Sequence, residues 1–478
     1  MKDSTKRTLI ALLPILVLVG ILAADIAIFG ADSILGASQV ALLVAGGICI
    51  GLAVWLYKTP WKTFEEAIKA HVGDVASAIL ILLLIGAISG TWTASGIVPA
   101  FIYYGLKIIS PKVFLLTACL LCALVSVMTG SSWTTIATIG VALVGIGRAE
   151  GFSDAMTAGA IVSGAYFGDK ISPLSDTTVL ASSLNKVDLF QHIRYMLLTT
   201  VPSFVITLVV FTVLGLSHSG TDSGLMEVYA NTLQGRFHLT PWIMVVPLLT
   251  VLMIWRKLPA LVVLALSALA ASVAALIFQP EIVAEVGRGI TEGSQLRVLF
   301  AGTVRLVYDS ISIETGNEAV NALVASRGML GMLNTVFLII CAMFFGACMR
   351  ASGMIRDLSQ LMASLTRTRA GLVGSTVFTG TALNGIVSDQ YLSIILTSNI
   401  YRDRFEKEGY EPRLLSRSVE DSATVTSPLF PWSSCGMTQA TMLSVPTLAY
   451  APFCFFNWLS PLMSFLVAVI GWKIVKKL

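Results

Sequence analysis

The sequence predicts an all-α polytopic membrane protein with 12–14 transmembrane crossings, built from two inverted-topology repeats that contain broken helices or re-entrant hairpins. Three observations predict it. Of 478 residues, 56% are hydrophobic and only 12% are charged, against about 25% charged in a soluble domain. Apolar runs of about twenty residues recur from end to end, each long enough to cross a bilayer as a helix. Two matching polar segments interrupt them, GAYFGDKISPLSDTT (164–178) and EDSATVTSPLFPW (420–432). The short alternating strands of an outer-membrane barrel are not the pattern here.

The elements follow in order. The span 8–29 comes after Lys2, Lys6 and Arg7; its apolar stretch is too long for a secretory leader, so it reads as a retained helix. With 39–57 it makes an N-terminal two-helix hairpin, 1–57. Residues 58–216 form the first repeat, with spans near 74–95, 112–128, 131–147, 155–184 and 193–216. Connecting helices 240–256 and 259–278 lie within 217–278. The second repeat, 279–478, opens with an extracytoplasmic segment, 279–332, whose stretch FAGTVRLVYDSISI is expected to pack against, or dip into, the bundle. Spans near 333–349, 371–385, 386–400, 417–445 and 452–474 complete it. The pairs 112–147 and 371–400 are short for two full crossings each, so either reads equally as a re-entrant hairpin.

Basic residues set the orientation. Lys58, Lys62 and Lys69, the Arg256-Lys257 turn, Arg350, Arg356, Arg367 and Arg369, the 401–417 loop and the tail with Lys473, Lys476 and Lys477 all fall on one side when spans alternate. Short cytoplasmic loops carry such an excess. Both termini are therefore expected in the cytoplasm of a prokaryotic cell, the chain lying in its inner membrane. The net charge of +4 reports this topology, and no nucleic-acid partner is expected.

An internal repeat supports the two halves. Ala94-Ser95-Gly96 echoes Ala351-Ser352-Gly353, and Ser172-Pro173-Leu174 echoes Ser427-Pro428-Leu429, at separations of 78 and 76 residues. Thr129-Gly130 and Thr379-Gly380 lie between, in the same order. One copy ends a span running outward and the other a span running inward. Inverted repeats of this kind exchange conformations to give alternating access.

The polar breaks carry the chemistry. Charges at membrane depth cost several kcal/mol and persist mainly where they face a cavity and act. A proline inside a span frees the carbonyl four residues earlier, so Pro173 and Pro428 are expected at helix breaks whose backbone is paired by ligand or side chain. Carboxylates, hydroxyls and carbonyls together suit a small hard cation such as Na+. Asp169, Ser172, Ser175, Asp176, Thr177 and Thr178 supply that set in one half; Glu420, Asp421, Ser422, Thr424, Thr426 and Ser427 supply it in the other. TGSSWTT adds Thr129, Ser131, Ser132, Trp133 and Thr134, and TGTALNGIVSDQY adds Asn384, Asp389 and Gln390. A desolvated carboxylate favours its neutral form, so one site holds a proton or a sodium ion, and competition couples opposite fluxes. Asp389, Asp169 and Asp421 lead as Na+ sites, with Asp176 and Glu420 as further ion or proton sites.

Plainer roles compete with these. Asp169 has Lys170 beside it, Glu420 has Arg417 nearby, and Asp176 is placed to cap the helix after Pro173. Asp25 sits near a span end, Trp133 serves equally as packing or gate, and Thr315-Gly316-Asn317-Glu318 is an outer loop. Cys119 and Cys122 lie in a helix-like run and read as packing residues. No H-x-x-H, G-x-S-x-G or P-loop pattern occurs, so a metalloprotease, a serine hydrolase and an ATP-driven pump are disfavoured. No enzyme activity and no cofactor are expected. A channel would use a symmetric selectivity filter, whereas broken helices in two halves point to a carrier.

These stretches, together with TGNEAVNALVASRG and PLFPWSSCGMTQATMLSVPTLAYAPFCFFNWLSPL, resemble the NhaC family of Na+/H+ antiporters from about Lys58 to the end. The family's usual A-D-Q-Y is Ser388-Asp389-Gln390-Tyr391 here, and its P-W-N-T-C-G is Pro431-Trp432-Ser433-Ser434-Cys435-Gly436. The resemblance implies proton-driven Na+ export, by an elevator-like movement of a transport domain against a scaffold. It also implies an alternative, because related members exchange organic anions such as malate and lactate with cations. The partners expected are membrane lipid, Na+ and H+, with a small organic anion or amino acid in the alternative, and a homodimer left open.

Overall fold

The computed structural model describes residues 2–29, 36–74, 76–108, 110–173, 175–217, 223–256, 258–357 and 368–474. Those residues are helical almost throughout, with a single isolated β-bridge, Ile311 to Ser326. Among the described residues, eight helices are long and apolar enough to cross a membrane, or up to eleven when three bent pairs count as one span each. The pairs bend by 66° at 94–97, 90° at 236–241 and 56° at 453–455. Expected spans 155–184, 386–400 and 417–445 are absent from that apolar set. They hold the helices that carry Asp169, Asp389, Glu420 and Asp421, and the charges themselves lower their apolarity. Part of the orientation argument, Lys257, Arg367, Lys476 and Lys477, lies outside the described residues.

Helices α1 (Lys2–Phe29) and α2 (Ala37–Tyr57) come first and pack on each other. After α3 (Trp61–Asp74), α4 (Ala76–Ala94) and α5 (Ile97–Ile108) meet at Gly96. Next come α6 (Phe114–Thr129), α7 (Ser132–Thr135), a π turn over Ile136–Gly140, α8 (Val141–Ala149), α9 (Asp154–Ile171), α10 (Asp176–Leu184) and α11 (Leu189–Ser217). The middle holds α12 (Ser223–Arg236), α13 (Val245–Trp255), α14 (Ala260–Phe278), α15 (Pro280–Arg288), α16 (Gln295–Tyr308), α17 (Glu318–Leu323) and α18 (Leu333–Ala351). The last part runs α19 (Arg369–Val387), α20 (Gln390–Lys407), α21 (Pro412–Val419) with a π turn over Glu420–Thr424, α22 (Ser434–Leu443), α23 (Thr447–Tyr450) and α24 (Phe455–Ile470).

The repeated sequence motifs fold alike. Gly96 and Gly353 both follow a helix end with positive φ, 85° and 78°, the left-handed conformation in which only glycine avoids a Cβ penalty. α6 ends at Gly130 (φ 68°) and α19 ends at Ser388 (φ 58°). In each case the next residue caps a new helix: Ser131 accepts the Thr134 N–H at 3.1 Å and Asp389 accepts the Leu392 N–H at 2.8 Å. Both Ser-Pro-Leu segments then separate two helices, α9 from α10 and α21 from α22.

Close packing places the first break. The α6 and α9 backbones meet because α9 presents glycine: a Cβ on Gly164 would lie 2.1 Å from the Cys119 carbonyl oxygen, and one on Gly168 2.3 Å from that of Ala123. Small residues one helical turn apart allow this approach between membrane helices. The ring of Phe167 stacks on Phe204 at 3.6 Å between centroids, with Phe456 edge-on, which joins α9 to α11 and α24. The segment 279–332 packs on the bundle as the sequence indicates: Gly90 of α4 faces the Leu306 carbonyl of α16, where a Cβ would sit 2.1 Å away, and Ser326 donates to Ser89 at 3.0 Å. All seven cysteines are free and buried, in keeping with a packing role.

Candidate ion-binding site

Asp169 lies on the last turn of α9, 6% exposed. Its Oδ2 accepts the Ser132 N–H at 3.1 Å and the Ser132 hydroxyl at 2.7 Å. The α7 start therefore points its first donors at this carboxylate, an arrangement that favours negative charge. The Ser175 hydroxyl also reaches Asp169, and Asp176 lies within electrostatic range. Asp389, also 6% exposed, caps α20. The phenol of Tyr391, two residues on, lies in the field of Asp169, Asp176 and Asp389 together. Three acids from two distant parts of the chain thus act on one partly exposed tyrosine.

The second half repeats the contact with roles exchanged. Gln390, the residue after the cap, donates through Nε2 to the Thr424 carbonyl at 3.1 Å, much as Ser132, the residue after its cap, donates to Asp169. Asp169 and Thr424 each stand three residues before a Ser-Pro-Leu. One half carries its carboxylate on the long helix, and the other carries it at the cap. Pro428 frees the Thr424 carbonyl, and side chains satisfy it: Ser427 donates at 2.8 Å beside Gln390. The helix ends are tied across as well. Ser172 donates to the Val127 carbonyl at 2.8 Å, and Trp432 to that of Gly385 at 2.7 Å.

Lys170 and Asp421 form a second, separate cluster. Both are fully buried and make an ion pair between α9 and the π turn after α21. Asp421 Oδ1 also accepts from Thr199 at 2.9 Å and Ser460 at 3.3 Å, and Arg417 stands 3.7 Å from Oδ2. The expectation of Na+ at Asp421 thus meets a carboxylate whose cation is already supplied by lysine. Nor does Lys170 pair with Asp169, since adjacent helical residues do not face each other. Arg417 pairs with Asp421 rather than with Glu420. Glu420 is buried; the Thr424 hydroxyl reaches it, and Lys170, Asp169 and Asp421 are its charged neighbours.

Several expected contacts are spent on the fold. Thr129 donates to the Ser131 carbonyl at 3.2 Å, and Thr134 to Ser131 Oγ at 3.1 Å. Thr177 shares a hydrogen bond with Ser175 at 3.0 Å. Asn384 donates to the Ala423 carbonyl at 2.7 Å and to Thr426 at 3.0 Å. Trp133 is half-buried against the core. Ser175, not Asp176, is the cap position of α10. The 315–318 stretch is a local turn, with Thr315 N–H and hydroxyl both donating to Asn321 at 2.7 Å. Thr199, Ser460 and Tyr391 were missed by sequence reasoning; the first two sit in otherwise apolar spans and carry no local signal.

The sequence model of the Na+/H+ antiporter family matches residues 5–184 and 164–472. The chain belongs to this family. Among curated relatives, the malate-2H+/Na+-lactate antiporter of Bacillus subtilis is 36% identical over 88% of this chain and 86% of its own length. The Na+/H+ antiporter NhaC of Alkalihalophilus pseudofirmus is 36% identical over 86% of each. The arginine/ornithine antiporter ArcD of Halobacterium salinarum is 32% identical over 98% of this chain and 93% of its own. The resemblance read from Asp169, Asp389 and the Ser-Pro-Leu breaks is therefore that of a family member, a multi-pass membrane antiporter.

Proposed function

We propose that this family member exports Na+ in exchange for H+ by alternating access, with the cation taken at Asp169 and Asp389 and Asp176 as a further acid. The observation that carries the reading is that Asp169, Asp176 and Asp389, from two distant parts of the chain, all act on the phenol of Tyr391, whereas Asp421 is taken up by Lys170. A carboxylate shielded from water needs a proton or a cation as its partner, so the two ions exclude each other there. The hydroxyls of Ser132 and Ser175 supply neutral oxygens suited to Na+. Glu420, buried beside Thr424, serves as a further proton holder, and Lys170–Asp421 fixes the two halves beside it.

The α7 start, which holds Asp169, and the α20 start, which carries Asp389, bring opposite repeats to this one site, an arrangement that supports alternating access. A second reading, exchange of a small organic anion or amino acid coupled to the same carboxylates, is favoured by the 36% identity to a malate/lactate antiporter. Proteoliposomes with an internal pH dye and an imposed pH gradient separate the two. Dissipation by Na+ alone supports cation/proton antiport. A response that requires malate, lactate or an amino acid supports the second reading.

A further inference from the structure

At the end of the bundle where α10 passes to α11, a cavity of about 740 Å³ is lined by Asp188, Arg194, Tyr195, Arg413 and Lys473, among others. Three segments meet there: the start of α11, the start of α21 and the stretch after α24. The Tyr195 hydroxyl donates to the Lys473 carbonyl at 3.2 Å, which holds the last segment at this end. The loop before α21 and the tail are both among the segments that their basic residues assign to the cytoplasm.

Charge and hydrogen bonding in this cavity call for an anion. Asp188 is spent as a helix cap, its Oδ1 accepting the Gln191 N–H at 3.0 Å, and Arg413 is paired with Glu411. Arg194 and Lys473 make no ion pair among the described residues. The guanidinium groups of Arg413 and Arg417 lie 4.8 and 4.7 Å from the Tyr195 ring centroid. Arg417, behind that ring, is fully buried, and none of its three nitrogens has a hydrogen-bond acceptor among the described residues. An arginine brings five N–H donors, and leaving them unmade in the interior is costly. Arg194 and Lys473 therefore bring positive charge to the cavity beyond the Arg413–Glu411 pair, and Arg417 shares the Asp421 carboxylate, 3.7 Å away, with Lys170.

We propose that this cavity binds a small oxyanion, a carboxylate or a phosphate group, held by Arg194 and Lys473 over the Tyr195 ring, with Arg417 adding positive potential from behind. Guanidinium and ammonium groups bind such oxyanions through charge-assisted hydrogen bonds. The oxyanion comes either from a dissolved small molecule or from an acidic phospholipid headgroup at the membrane edge. The proposal is independent of the antiport reading, because it is tested by binding.

The full chain in a neutral detergent is titrated with succinate and with inorganic phosphate at constant ionic strength, and its thermal unfolding is followed. The same protein is compared in phosphatidylcholine nanodiscs with and without phosphatidylglycerol. Wild type and a charge-matched control, Lys62→Gln/Lys69→Gln, are expected to be stabilised saturably in at least one arm. Arg194→Gln/Lys473→Gln is expected to lose about tenfold or more in apparent affinity there. A response in the detergent arm assigns a soluble anion, and one confined to phosphatidylglycerol assigns the lipid. No saturable response in either arm, or an equal response in the double variant, overturns the proposal.

Discussion

The ion pair between Lys170 and Asp421 makes a quantitative prediction. Breaking a buried pair from one side costs about 3–5 kcal/mol, because a charge is left without its partner. The two sides are not equivalent here. In Lys170→Met, Asp421 keeps Thr199 at 2.9 Å, Ser460 at 3.3 Å and Arg417 at 3.7 Å, so the loss is expected near about 3 kcal/mol. In Asp421→Asn, Lys170 and Arg417 are both left without that carboxylate, so the loss is expected near about 5 kcal/mol. The double variant removes one charge of each sign and is expected to be less destabilised than the sum of the singles by about 2 kcal/mol. Reversible unfolding of the purified chain in mixed detergent micelles, followed by tryptophan fluorescence, measures all four species. Additivity within about 0.5 kcal/mol, or equal losses for the two single variants, would refute the reasoning.

Other expectations can be checked together. Asp389→Asn should reduce Na+-dependent proton movement to the level of empty liposomes while yield and detergent elution stay as in wild type; exchange at the wild-type rate removes Asp389 from the site. If protons and Na+ compete, the half-saturating Na+ concentration falls by up to about tenfold per pH unit as pH rises, whereas a pH-independent value argues against a shared site. Gly164→Ala places a methyl 2.1 Å from the Cys119 carbonyl oxygen and should cost about 1–3 kcal/mol by forcing α6 from α9, readable as a lowered melting temperature. Glu150, just beyond the α8 end, is pushed up by burial from an ordinary 4.5 to about 8. Its folded form holds the proton more tightly, so that contribution to stability is present below about pH 4.5 and is lost as pH rises through 8. Glu150→Gln should therefore flatten the melting profile between pH 6 and 9, and an unchanged profile counts against this role.

Much of the architecture was legible because lipid imposes simple rules. Long apolar runs gave the helices, and Ala-Ser-Gly and Ser-Pro-Leu marked where they stop, since glycine and proline act through local backbone geometry. Asp169 and Asp389 were legible for a related reason: a carboxylate in an apolar stretch stands out. Asp421 stood out equally, yet its partner lies 251 residues away and no local pattern points to it. One signal was available for Lys170. Neighbours in a helix point about 100° apart, so Lys170 had to serve a face other than that of Asp169. Thr199 and Ser460 were hidden because single hydroxyls are ordinary in membrane helices, where they bond the backbone one turn back. The exchange of roles between Ser132–Asp169 and Gln390–Thr424 was hidden too, since different residue types occupy equivalent places.

The burial of every native thiol has a practical consequence. A water-soluble maleimide added to the resting protein meets no accessible cysteine, so a single cysteine introduced at a surface position is read against a silent background without first removing the other seven. Cys435 adds an internal reporter: its thiol donates to Gln390 Oε1 at 3.0 Å, beside the α20 cap. Labelling of Cys435 that appears only when Na+ or a pH gradient is supplied would time the entry of water into that half of the protein, from the unmodified sequence alone.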